Sequence, residues 1–219
     1  DQYPMDDYFK ASQKLLSSFA LSTYNKRWAT VISSRGCPYN CIFCSIHLTM
    51  GKPWRPRSAE NVIKELELLI NKYKIQKIAF LDDNMTFDIE RMNRICDLIL
   101  EKKLKFEWST PNGIRADRLD RELLTKMKMA GCTRIAVAPE SGSQKVVYHL
   151  IGKALNLEKV TEVVKICKEI KLQVDCFFVM GIPGETRRDL RQTIKYASKL
   201  KQLGASGFNL AIATPFIGT

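Results

Sequence analysis

Three cysteines stand at C-x3-C-x2-C spacing in the run Arg35-Gly-Cys-Pro-Tyr-Asn-Cys-Ile-Phe-Cys-Ser-Ile-His47: Cys37, Cys41 and Cys44. A loop this dense in thiols binds metal, forms disulfides or carries redox chemistry. Disulfides fail on arithmetic, because three clustered cysteines cannot all pair among themselves. Cys96, Cys132, Cys167 and Cys176 lie scattered through apolar stretches, where cysteine serves as a small buried hydrophobe. Four thiolates are the usual ligands of a 4Fe–4S cluster. Three would leave one iron without a protein ligand, and an open iron is a place for a substrate. The alternative is a closed Cys3His zinc site completed by His47.

The elements that must position such a loop follow from the hydrophobic pattern. A β-branched run, Ala29 to Ser34, leads directly into the cysteines. Further strands are expected at Lys77–Leu81, Phe106–Thr110, Thr133–Ala138, Gln173–Met180 and Gly207–Ala213. Between them lie helical spacings over 59–73, 88–103, 121–130, 157–170 and 189–203, with a shorter helical stretch over 144–150. Ser58 offers an N-cap to the first of these, and Gly131 stops the third. Phe9 to Ala20 has the spacing of a short helix. Alternation of strand, loop and helix about six times predicts parallel strands covered by helices. Right-handed crossovers wind them toward a barrel. Six units are fewer than the eight of a closed barrel, so the expected fold is α/β, an open three-quarter (β/α)6 barrel.

Polar and glycine-rich residues gather just after the strands: the cysteine loop, Asp82-Asp-Asn84, Asn112-Gly-Ile-Arg115, Glu140-Ser-Gly142 and Gly181-Ile-Pro-Gly-Glu185. In parallel α/β folds these positions share one end of the sheet, where ligands bind. Tyr39, His47, Trp54 and Arg55 lie in or near the cysteine loop and line the substrate side or cover the loop. His149, on a helical stretch, reads as a surface residue. No Ser–His–Asp set, phosphate loop or zincin helix is present.

The chain has 219 residues, with 45% hydrophobic and 26% charged, which suits one large globular domain. No apolar run reaches the roughly 20 residues needed to span a bilayer. The net charge of +12, from 35 Lys and Arg against 23 Asp and Glu, favours acidic partners. Most lysines are spread along helices, however, as on a solvated outer face, so nucleic acid is not the favoured partner. Reactive thiols without a disulfide plan point to a reducing, cytoplasmic setting. The start at Asp1 lacks the basic and apolar parts of a signal peptide. Residues 1–28 read as an entry segment from an upstream domain, and 29–219 as the catalytic domain.

The cysteine run, with the aromatic Phe43 before its third cysteine and the Glu-Ser-Gly-Ser and Gly-Ile-Pro-Gly-Glu strand ends, resembles the radical SAM superfamily. The resemblance covers residues 29–219 and is nearest to the branch that carries a cobalamin-binding domain upstream. It implies that Cys37, Cys41 and Cys44 hold a 4Fe–4S cluster whose fourth iron takes S-adenosylmethionine (SAM). One electron then cleaves the sulfonium to a 5′-deoxyadenosyl radical, which abstracts hydrogen from a substrate. Phe43 is matched to the adenine side, and Gly181 and Ile182 to the backbone lying along the adenine. Asp82, Asp83 and Asn84 stand where many members have Gly-Gly-Glu, facing the SAM amine. Glu140 and Ser141 are matched to the ribose and methionine tail. Asn112 and Arg115 complete the set, with Arg115 matched to the SAM carboxylate. Implied partners are an electron donor (flavodoxin or ferredoxin) and an unidentified substrate. The reaction implied is methyl transfer to, or rearrangement of, an unactivated carbon. Cobalamin, if used, would bind through a part outside this chain or without a histidine ligand, since no Asp-x-His-x-x-Gly motif occurs. The alternative within the family is a tRNA-modifying methylthiotransferase.

Overall fold

The computed structural model describes residues 4–18 and 27–215. In chain order its elements are α1 (Met5–Ser18), β1 (Trp28–Val31), β2 (Ser34–Arg35), α2 (Ile46–Thr49), β3 (Arg55–Pro56), α3 (Ala59–Asn71), β4 (Lys77–Phe80), α4 (Ile89–Glu101), β5 (Glu107–Ile114), α5 (Arg121–Met129), β6 (Cys132–Glu140), α6 (Leu157–Glu169), β7 (Gln173–Met180), α7 (Arg187–Leu203) and β8 (Gly207–Ile212). A π-helical turn, Val146–Leu150, stands where a short helix was expected. Six strands form one parallel sheet in the order β1-β4-β5-β6-β7-β8, so neighbours in the sheet follow chain order. β1 and β8 are its two edges. The sheet is open, as the six-unit count required.

Each crossover helix buries one stripe. α3 sinks Val62, Ile63, Leu66 and Leu69, and α4 sinks Met92, Ile95, Cys96 and Ile99. Each such aliphatic side chain contributes about 1.5–3 kcal/mol relative to exposure. Phe9 of α1 is buried in this same core, with Arg27 stacked over its ring at 5.2 Å. The expected helix at Phe9 to Ala20 begins earlier, at Met5, and its last two residues lie outside the described residues. No helix among the described residues is long and apolar enough to cross a membrane.

Three strand ends depart from the expected ones by two residues or more. The first strand stops at Val31, and Ser34–Arg35 instead pairs antiparallel with Arg55–Pro56. β5 runs through Pro111 and Gly113 to Ile114, where a turn was expected, and β6 runs through Pro139 to Glu140. Proline lacks the N–H that a central ladder uses, so each strand slips register at its proline: between Thr110 and Ile114 in β5, and between Val137 and Glu140 in β6. The slips re-aim the residues that follow.

α7 is fastened to the end of β6 by polar contacts. Thr186 and Asp189 form a capping box, and Asp189 also accepts a hydrogen bond from Ser143 Oγ at 2.7 Å. Thr193 Oγ1 accepts from Gly142 N at 3.0 Å. The approach is so close that a Cβ on Gly142 would sit 2.5 Å from Gln192 O and 2.6 Å from Thr193 Cα. Gly142→Ala is therefore expected to push α7 off the strand end and cost about 1–3 kcal/mol, read as a lower urea midpoint. The hydrogen bonds from Thr186 and Ser143 hold Asp189 down to about 2, from an ordinary 3.8. Its contribution to stability is thus complete above pH 4 and fades as pH falls toward 2. Asp189→Asn should show its full stability deficit at pH 7 and a shrinking one in denaturation curves taken between pH 4 and pH 2.

Candidate active site

The carboxyl end of the sheet holds a cavity of about 370 Å3, and Cys37, Cys41 and Cys44 all face it. The loop that carries them is set by its backbone. Gly36 adopts φ +87°, and a Cβ there would lie 2.3 Å from Pro53 O, so only glycine fits. Cys37 N donates to Gly51 O at 3.3 Å, and Ile42 N donates to Ile151 O at 3.0 Å. Burial pushes the Cys37 and Cys41 thiols above their ordinary range. The Tyr39 backbone N–H opposes the rise at Cys37, and the Lys153 ammonium opposes it at Cys41. All seven cysteines are free thiols.

The three residues after β4 do three different things. Asp82 is buried and turned away from the cavity, accepting from Ser33 N at 3.0 Å and from the hydroxyls of Ser33 and Ser34 at 2.6 Å each. Asp83 faces the cavity and accepts from Gly36 N at 2.9 Å, which fixes the first turn of the cysteine loop. Asn84 also faces it, with Nδ2 4.0 Å from Cys37 Sγ. Its Oδ1 is buried and finds no partner among the described residues. A buried acceptor left unsatisfied costs about 1–3 kcal/mol, so this atom calls for a donor from a ligand in the cavity.

Arg115 lines the cavity but is committed elsewhere. It pairs bidentately with Asp117, at 2.9 and 3.1 Å, and donates to Ala154 O at 2.7 Å. Its guanidinium lies 3.8 Å from the centre of the Tyr39 ring. That arrangement braces Tyr39 as a wall of the cavity beside Cys37, and Arg115 itself is buried. Asn112 reaches across to donate to Leu81 O at 2.9 Å. Trp54 packs on Phe87 with ring centres 5.1 Å apart and donates to Asn84 O at 3.1 Å.

Glu140 is delivered by the slip in β6 and sits at φ +65°, a strained value for a residue with a side chain. Its carboxylate faces the cavity and accepts from Lys153 Nζ at 2.7 Å, while Lys153 also donates to Ala138 O at 2.6 Å. Burial pushes Glu140 above the ordinary carboxylate range and the Lys153 ammonium limits the rise. Ser141 is turned the other way, bonded to Thr193 and to Ser143 N. Ile182 is buried with Val146 and Ile151 in a small apolar cluster against which Phe43 and Cys41 pack. Gly181 donates its N–H to Glu185 at 2.6 Å and takes φ +83°.

Sequence reasoning missed Lys153, whose partner is thirteen positions away across a turn and which nothing distinguishes from the surface lysines. It also missed Asp117, and the inward face of β7 and β8, where Phe177, Val179, Asn209 and Ala211 close the cavity. Alternation along β7 was the available signal. His47 places Nδ1 3.1 Å from Cys44 O. Among the described residues no three His, Cys, Asp or Glu side chains converge on a single-ion position. Three thiols of one loop facing one cavity fit a cluster with an open iron, and the orphan Asn84 Oδ1 beside Cys37 fits a cationic ligand next to it.

Comparison with known proteins agrees. The chain is 36% identical over 192 residues to an uncharacterized methyltransferase of Pyrococcus horikoshii, an alignment covering 88% of this chain and 40% of that protein. It is 31% identical over 225 residues to the cytidylyl-2-hydroxyethylphosphonate methyltransferase of Streptomyces wedmorensis, covering 99% of this chain and 40% of that protein. Among solved structures, the radical S-adenosylmethionine methyltransferase TsrM of Kitasatospora setae, with cobalamin and a 4Fe–4S cluster bound, superposes with a TM-score of 0.76 at 17% identity. That match covers 88% of this chain and 38% of that one, so the chain spans about two fifths of the length of these relatives. The Radical SAM superfamily pattern matches residues 31–197, three quarters of the chain and all of the site except β8, and the chain belongs to that superfamily.

Proposed function

We propose that this chain is the radical SAM core of a methyltransferase, working on an unactivated carbon in the manner of the cobalamin-linked branch. The observation that carries the SAM site is Asn84: a buried amide oxygen without a partner, on the cavity wall beside Cys37. Cys37, Cys41 and Cys44 would hold the cluster. Together with SAM, the family's cluster supplies one-electron reductive cleavage of the sulfonium and, from it, hydrogen abstraction.

The protein's part is binding and orientation. Asn84 Oδ1 accepts from the SAM amine, with Asp83 adding negative charge on the same side. Glu140, held by Lys153, accepts from ribose hydroxyls. Ile182 and Phe43 provide the apolar side for adenine, and Gly181 lets backbone approach it. Tyr39, braced by Arg115, limits water at the Cys37 edge. In this reading Asp82 and Ser141 support the strand ends without touching SAM. The names of the relatives support methyl transfer; the upstream cobalamin domain, the substrate and a reducing cytoplasmic setting belong to the same proposal.

Anaerobic reconstitution with iron and sulfide tests it. The expected result is a brown protein whose reduced-cluster EPR signal changes when SAM is added, with 5′-deoxyadenosine formed under dithionite. A colourless protein that keeps one zinc and ignores SAM would overturn the reading. Losing a hydrogen bond to a charged group costs about 1.5–3 kcal/mol, so Asn84→Ala should weaken SAM binding about ten- to a hundredfold by calorimetry, without lowering the thermal stability of the ligand-free protein, since the orphan acceptor goes with the side chain. Asp82→Asn should do the reverse, lowering stability through the lost serine contacts.

A further inference from the structure

Lys153 is the only buried lysine among the described residues, 7% exposed. Its ammonium carries three N–H groups. Two are used, on Glu140 Oε1 at 2.7 Å and on Ala138 O at 2.6 Å, and the third has no acceptor among the described residues. The residue lines the same cavity as the three cysteines. Its backbone is fixed: Lys153 N donates to Val147 O at 2.9 Å, and Leu155 N donates to Lys153 O at 2.8 Å. The segment that carries it runs beside the cysteine loop. Ile42 N donates to Ile151 O at 3.0 Å, and Cys41 packs against the cluster of Val146, Ile151 and Ile182. A Cβ on Gly152 would lie 3.6 Å from Asn40 O. The Glu140–Lys153 pair thus presents two opposite charges to Cys41, and they do not act on it equally. The ammonium opposes the burial-driven rise of the Cys41 thiol more than the carboxylate adds to it. Arg115, which also lines the cavity, is neutralised by its bidentate pairing with Asp117.

The potential of an iron–sulfur cluster depends on the charges around it and on hydrogen bonds to its sulfurs. Reduction adds one negative charge to the cluster. In a partly enclosed cavity a fixed cation stabilises that charge more than salt-screened surface cations do. We propose that Lys153 is a positioning residue for electron entry, raising the reduction potential of the cluster from the Cys41 side, with Glu140 as its counterweight. The inference rests on the radical SAM reading, in which Cys37, Cys41 and Cys44 would hold that cluster. One electron passes from an external one-electron donor, which is oxidised by one, to the cluster, which is reduced by one. No bond forms or breaks, and no atom is transferred. The two ends of the Lys153 contact set then have separate duties. Its bonds to Glu140 and Ala138 hold the ammonium in place, and the charge so held, with its remaining N–H, serves the thiolate side.

The test is an EPR-monitored redox titration of the reconstituted protein without SAM, with iron and sulfide counted per chain so that equal clusters are compared. In Lys153→Met the field at Cys41 becomes less positive, whether or not Glu140 then takes up a proton. The reduced-to-oxidised ratio at a fixed potential is expected to fall about tenfold, a midpoint about 59 mV lower for one electron. Lys153→Arg keeps the charge and should hold the midpoint close to wild type. In Glu140→Gln the amide oxygen and Ala138 O still accept from the ammonium, and the midpoint should rise. Simple loosening of the cavity wall would instead shift Lys153→Met and Glu140→Gln the same way. A Lys153→Met midpoint no lower than wild type, or shifts of one sign in both variants, would overturn the inference while the cluster itself stands. Where Lys153→Met gives no folded protein, Glu140→Gln decides alone, and a midpoint at or below wild type would overturn it. A wild-type protein that takes up no cluster would overturn the underlying reading, and this inference with it.

Discussion

One buried carboxylate holds the site together. Asp82 accepts three short hydrogen bonds from Ser33 and Ser34, at the point where β1 ends and the cysteine loop begins. A charge taken out of water is tolerated only when it is fully bonded and balanced. Arg91 supplies the balance from α4, and its own guanidinium donates to Ser33 O at 2.8 Å and Arg57 O at 2.7 Å. The end of the first strand is thereby locked to the end of its neighbour and to a crossover helix. That lock carries the loop: with Ser33 and Ser34 fixed, Gly36 can reach Asp83, and Cys37 can reach Gly51. The thiols themselves make little of this scaffold. Thiols left free to bind a cofactor do not hold the loop in place, so the backbone and its neighbours do so.

The opposite wall is built on irregular strands rather than on regular ones. Proline at 111 and at 139 removes a ladder donor from two central strands, and both strands respond by slipping register. The slip in β6 turns Glu140 into the cavity at a backbone angle that its side chain disfavours. Such strain persists only where surroundings over-determine it. Here Lys153 binds both Glu140 and Ala138, and Gly142 lets α7 press on the same strand end. Ile151, two residues before Lys153, accepts the Ile42 N–H from the cysteine loop. A short segment after the π-helical turn thus ties the carboxylate wall to the thiol loop, and the distance between them is set by covalent chain rather than by a ligand.

The sequence disclosed what depends on period and spacing. Cysteine spacing marked the loop, alternation of 2.0 and 3.6 residue patterns marked the open parallel sheet, and β7 was expected with the boundaries it has. Polar residues after strands pointed to the right end of the sheet. Which of them face the cavity was not legible, because direction at a strand end depends on where the strand stops. Asp82, Asp83 and Asn84 look equivalent in sequence, yet one is consumed by serines, one by a backbone N–H, and one is left open. Glu140 and Ser141 divide in the same way. Proline 111 was misleading for a physical reason: it forbids a regular central ladder, and the fold answered with a bulge rather than with an end. Lys153 carried no local signal at all, since a buried lysine and a solvated one read alike until the partner is in place.

The two faces of the cysteine loop differ in chemical character. Toward the cavity the loop meets the carboxylates of Asp83 and Glu140, the latter paired with Lys153, and the neutral acceptor Asn84. Toward solvent it exposes Arg35 and Lys52, and the aliphatic side chains of Ile42 and Leu48. The remaining wall, from β7 and β8, is different again: Phe177, Val179 and Ala211 are apolar and Asn209 is neutral. With no charge to satisfy, that wall can change side chains without disturbing the lock at Asp82 or the Glu140–Lys153 pair. The inward residues of β7 and β8 are therefore the part of the cavity wall whose shape is independent of the scaffold, while the first four strands of the sheet carry the lock and the charged pair.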